Sequence, residues 1–361
     1  MSTLGSRLNK RSRAHPVTAS IEPLESRRLM SGLTSALGFA LEPAGASSGE
    51  SVAHARAAKA ISWTEAAPSP VPRFESAGEV VGGKLYIFGG FVDADVHATA
   101  RSDVFNSKKN TWTQIADMPE PLTHTGHVVI GRKIWFVGGF VGDEGDVISP
   151  STTHTWIYDT KRNTWASGPD LPAARGAGAL TKMGSKLNFF GGLETRDADQ
   201  GQHWVLNLHK LSAGWVAAAP LPTAVNHLAG VALGGKIYAI GGQHLWDEDS
   251  GNVDLVQVYN PHTNSWTQAT PLPAPRGHVA DSTFVSHGKI VVAGGATNGI
   301  PALDDVIVYR LSRNEWSGLT SFPAGRRAPV ARAIGGKIIV TTGDPGDVSA
   351  TEQTWISSRA V

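Results

Sequence analysis

Four arginines recur at one place in this chain. Arg73, Arg175 and Arg326 each lie sixteen residues before a glycine-containing pair, at Gly89-Gly90, Gly191-Gly192 and Thr342-Gly343. Arg276 lies eighteen before Gly294. A guanidinium stays charged and presents a planar fork of donors, so a partial ring of them can bind a carboxylate or another anion. The same fork also serves loops and neighbouring repeats. Glu75, His124, His127, Asn226, His227 and His278 lie near the same place in their own repeats and can hydrogen-bond a sugar-like ligand. The candidate ligand set is therefore Arg73, Glu75, Arg175, His227, Arg276 and Arg326. No catalytic residue, metal ligand or cofactor is assigned. Acidic clusters recur elsewhere, as at Asp93 and Asp95 or Asp143, Glu144 and Asp146. The one best suited to a hard cation is Asp247-Glu-Asp-Ser-Gly-Asn252, which lacks the closing bidentate glutamate of a calcium loop.

Composition removes whole classes of chemistry. There is no cysteine, which excludes disulfides, thiolate catalysis and cysteine-ligated metals. No nucleophile elbow, phosphate loop or zinc motif is present. A net charge of +1 argues against a dedicated nucleic-acid binder. No apolar run reaches the ~18 residues of a membrane-spanning helix. Hydrophobic residues make up 41%, enough for a sizeable core, and 41 glycines with 21 prolines point to many tight turns.

The elements that must position these residues are repeats. Glycine pairs at 89, 138, 191, 241 and 294, with a degenerate copy at Thr342-Gly343, share a period of about fifty residues with Trp63, Trp112, Trp165, Trp215, Trp266 and Trp316. Each unit reads as an apolar strand, a turn such as Gly82-Gly83-Lys84, a second strand ending at the glycines, a loop, a third strand, and a fourth bearing the tryptophan. This grammar resembles kelch repeats over residues 60–357. It implies an all-β, six-bladed β-propeller. The last repeat lacks a fourth strand, and Ile61-Ser-Trp-Thr-Glu65 matches it, so an N-terminal strand is expected to complete the last blade and close the ring.

Ahead of the propeller, residues 1–46 read as an export signal-like segment and 47–59 as a flexible Ser/Ala/Gly linker. Leu24-Glu-Ser-Arg-Arg-Leu-Met-Ser31 resembles the LEPR-XLL motif of bacterial surface and exported proteins, and Ser26-Arg27-Arg28-Leu29-Met30 resembles a twin-arginine signal. The expectation is an exported monomer, periplasmic, cell-surface or secreted. It would bind a protein or a glycan without catalysis, on the face shared by the start of strand one and the loop after strand two. Copper radical oxidases with this fold use a tyrosine crosslinked to cysteine, which the lack of cysteine excludes. Six-bladed sialic-acid mutarotases supply the alternative, a carbohydrate isomerase in which Glu75 and a nearby arginine would act as acid/base and carboxylate clamp.

Overall fold

The computed structural model describes residues 61–142, 150–194, 198–245, 251–298 and 302–359. The export-like segment and the linker lie outside the described residues, as do Asp143, Glu144, Asp146 and most of the Asp247–Asn252 run.

Six four-stranded antiparallel sheets follow one another along the chain. Their innermost strands are Ala77–Val81, Gly126–Ile130, Ala179–Met183, Ala229–Leu233, Thr283–Ser286 and Val330–Ile334, in blades one to six. Each packs on the innermost strands of both neighbours, and the sixth packs on the first. The second strands are the most apolar, as in Lys84–Phe88, where all but the lysine are buried. They lie between blade faces, so both sides must be apolar.

The ring closes as the repeats require. Trp63–Ala66 pairs antiparallel with Thr354–Ser357, with Trp63 opposite Ser357, and becomes the outermost strand of blade six. Side chains then latch blades one to five to the blade before, a tryptophan in all five and an asparagine as well in blades one, two and four. The indole N–H of Trp112 donates to Ala67 O at 2.9 Å, and those of Trp165, Trp215, Trp266 and Trp316 donate to Ala116, Pro169, Ala219 and Thr270. Asn110, Asn163 and Asn264 sit in the turn before strand four with φ near +50°. Their side-chain oxygens accept the N–H groups of Ala67, Ala116 and Ala219. Trp63 packs edge-on against Phe322 instead.

The glycine pairs mark the closest backbone approach. A Cβ on Gly138 would stand 2.3 Å from Arg175 O, and Gly138 has φ +64°. Gly139 N–H donates to that same carbonyl at 2.8 Å. Glycine lets the chain of one blade pass this close to the next without strain, and Thr342 takes the corresponding place in blade six at φ +60°.

Candidate functional site

The recurring arginine has a definite task. Its carbonyl accepts from the glycine pair of the preceding blade, as Arg73 O does from Gly343 N–H and Arg276 O from Gly242 N–H. Leu122 and Val225 fill the same backbone role in blades two and four, accepting from Gly90 and Gly192. The arginine side chains turn into their own blades. Arg73 is buried against Asp103 at 2.6 Å and donates to Arg101 O. Arg276 makes a two-pronged pair with Asp305 at 2.8 and 2.7 Å. Arg175 bonds Gln202 and lies over Trp204, and Arg326 bonds Gln353 and lies over Trp355. All four are buried, and their guanidiniums fasten the start of strand three in their own blades. Arg276 holds the same place despite its displacement, because a turn at Ala280–Ser282 adds chain before the inner strand of blade five.

Two residues further on, the chain meets the axis. Glu75, His124, Ala177, His227, His278 and Ala328 occupy this position in the six blades, and each has φ between +47° and +56°. Such φ values are uncommon outside glycine, yet here they recur in every blade. Ala177 N–H donates to His124 O, and His227 N–H to Ala177 O, both at 2.9 Å, so backbone bonds stitch the ring from blade to blade. The polar side chains converge. His278 Nδ1 lies 2.5 Å from Glu75 Oε1, and His124 Nε2 lies 3.5 Å from Glu75 Oε2. The His227 ring centroid is 4.8 Å from that of His124 and 4.4 Å from that of His278. Of the six candidate ligand residues, the structure thus brings Glu75 and His227 to the axis, and places the arginines around the rim. Burial alone would raise the Glu75 pKa, but the surrounding His124, His278 and His227 outweigh it and hold the carboxyl well below its usual range.

Beneath this ring lies a second polar layer that the sequence reading named only through His127. His127 Nδ1 donates to Glu79 at 3.0 Å and Nε2 to Asp281 at 2.8 Å. Both partners are carboxylates, which only accept when ionised, so the imidazole carries both protons. Burial opposes that charge, but Asp281 and Glu79 overcome it and hold the His127 pKa up at about 9. Arg332 completes the layer, 3.8 Å from Glu79 and donating to the Asp281 carbonyl. Gly78 N–H donates to the Asp281 carboxylate. Blades one, two, five and six are therefore joined across the axis. The missed members had a signal: Glu79 and Arg332 are single charges at the centre of otherwise apolar inner strands.

The two layers divide the channel. Around the ring of Glu75, His124, His227 and His278 the enclosed space is about 10 Å³. Below the second layer a cavity of about 380 Å³ is lined by the later residues of the inner strands, among them Thr181, Lys182 and Arg332. It faces the hairpin turns rather than the loop face. On the loop face itself, Asp93, Asp95, Glu194, Asp304 and Asp347 stand in the connections from strand two to strand three. Leu245 and Val348 are exposed there, 43% and 36%, with φ of +60° and +63°.

Comparison with known proteins agrees with this architecture. Residues 128–343 match the KLHDC2/KLHL20/DRC7 Kelch-repeats domain, and residues 72–119 match the Kelch motif. Kelch repeat-containing protein At3g27220 of Arabidopsis thaliana is 25% identical over 304 residues, covering 78% of this chain and 71% of the plant protein. Kelch-like protein 40 of Mus musculus is 27% identical over 220 residues, covering 58% of this chain but only 34% of the mouse protein. Among solved structures, that of YjhT superposes with a TM-score of 0.64 at 16% identity, covering 80% of this chain and 96% of YjhT.

Proposed function

The chain belongs to the kelch-repeat family, and on that premise we propose that it is a non-catalytic binding module whose loop face receives a protein ligand outside the cytoplasm. One observation carries this reading. Leu245 and Val348 are held exposed in left-handed backbone, on a face whose exposed acids include Asp95, Glu194 and Asp347. A β-branched residue such as Val348 at positive φ is an outlier that costs about 1–3 kcal/mol, and such costs concentrate at functional surfaces. Apolar tips amid acidic groups suit a basic peptide segment. The exported setting rests on the resemblances in residues 1–46 alone, and no helix among the described residues is long and apolar enough to cross a membrane.

The test is a binding screen of the purified chain against basic, neutral and acidic peptides and a glycan array. Leu245→Asp and Val348→Asp together should weaken binding to a basic peptide at least tenfold. Undiminished binding by that variant, or capture of glycans alone, would refute the reading.

The Glu75–His278 pair supports a second reading, a carbohydrate isomerase, because a carboxylate and an imidazole in contact can pass a proton. The space beside that pair is too small for a sugar ring, so turnover would require the mouth to open. Interconversion of the α and β anomers of a sialic acid faster than the spontaneous rate, abolished by Glu75→Gln, would establish it; no acceleration by the wild type would exclude it.

A further inference from the structure

We propose that the axial ring is a site for one divalent transition-metal ion, held by Glu75, His227 and His278. These residues come from blades one, four and five, and their candidate donor atoms all lie within 4.8 Å of one another. Two imidazoles and a carboxylate form a donor set for zinc-like ions rather than for calcium or magnesium, which prefer oxygen alone. Donors on a tetrahedral ion stand roughly 3.3 Å apart, given metal–nitrogen distances near 2.0–2.1 Å. Side-chain rotation of about an ångström closes that gap, with no backbone movement, because the ring is fixed by its inter-blade hydrogen bonds.

Three further features point the same way. The fold does not need polar groups at this position, since Ala177 and Ala328 occupy it in blades three and six with the same backbone angles. The enclosed space of about 10 Å³ accommodates a single water or ion and nothing larger. The His227 ring is already oriented: its Nδ1 bonds the side-chain oxygen of Asn226, which sets Nε2 as the lone-pair nitrogen. His124, with Nδ1 on Thr123 Oγ1 at 2.9 Å, adds an imidazole at the open side of the set.

This inference is independent of which ligand the loop face takes. The full chain is stripped with chelator, dialysed, and titrated calorimetrically with Zn²⁺ alone. One equivalent is expected, with a raised thermal midpoint. Glu75→Gln and His227→Ala should each weaken uptake about 100-fold, the upper range for losing a ligand or its support. His97→Ala, which alters an exposed pair with Asp93 on the loop face, should bind like the wild type. Co²⁺ added to the wild-type chain should give a visible band of nitrogen-ligated cobalt, a reading that needs no variant to fold. Uptake below about 0.1 equivalent by the wild type, or unchanged binding in both ligand variants, overturns the proposal. Peptide binding by the stripped chain tests the loop-face reading separately.

Discussion

Replacing His127 with glutamine should remove a pH dependence of stability that the second axial layer builds in. Glu79, Asp281 and Arg332 are the charged groups facing His127. With His127 protonated the layer holds two anions and two cations; with it neutral, one negative charge is left uncompensated away from bulk water. The His127 pKa is raised to about 9 from an ordinary 6.5. A raised pKa means the stabilisation is fully present below pH 6.5 and is lost as pH climbs through 9. At 1.36 kcal/mol per pH unit, the window of about 2.5 units corresponds to about 3 kcal/mol. The assay is urea unfolding followed by tryptophan fluorescence at pH 6, 7.5, 9 and 10, with chelator present throughout. Wild type should lose stability steadily between pH 6.5 and 9 relative to His127→Gln, and the gap between them should nearly vanish by pH 10. Parallel curves across that window would show that His127 does not carry the proton the geometry requires.

Three other outcomes follow from packing. Trp215→Ala removes a buried indole and its bond to Pro169 O, and should cost about 3–5 kcal/mol, read from urea midpoints; a wild-type midpoint would refute the latch. Deleting residues 60–67 removes the outermost strand of blade six, the N–H that Ala67 donates to Asn110 and the carbonyl with which it accepts from Trp112. Size-exclusion chromatography should show oligomers or unfolded chain, whereas a folded monomer would overturn ring closure by this strand. Asp103→Ala leaves the buried Arg73 guanidinium without its carboxylate, and should destabilise by about 3–5 kcal/mol in the same assay, more than Asp95→Ala on the exposed loop.

The repeats were legible because each marker answers a local need. Gly138 must be glycine to pass Arg175 O, and Trp112 must reach Ala67 O, so both leave fixed residues at a fixed period. The borrowed strand was legible for the same reason, since Trp63 has no repeat of its own. The recurrence of the arginines is plain in the sequence, but their partners are not, because Asp103, Gln202, Asp305 and Gln353 follow at intervals that vary with loop length. The asparagine latch at Asn110, Asn163 and Asn264 recurs with the tryptophan and was there to be read. The axial cluster was legible only in part: Glu75, His124, His227 and His278 stand at one position of their repeats, but the contact between Glu75 and His278, 203 residues apart, leaves no mark in either segment.

The near-zero net charge conceals a molecule with two unlike ends. Lys84, Lys133, Lys186, Lys236, Lys289 and Lys337 open the second strand of every blade, which sets one cation per blade at the hairpin end. The acids concentrate at the loop end, and the few at the hairpin end are tied up, as Asp159 is by Arg162 at 2.8 Å. Antiparallel strands enforce this separation: residues before strand two and residues after it must emerge on opposite faces. Within about a Debye length, ~8 Å at physiological salt, a ligand therefore meets either a basic or an acidic field, never their sum. On the proposed reading a basic peptide would be drawn to the end where Leu245 and Val348 stand exposed, while the 380 Å³ cavity lies at the other end, beside Lys182 and Arg332. The polar layers through Glu75 and His127 stand between those two ends and keep them chemically separate.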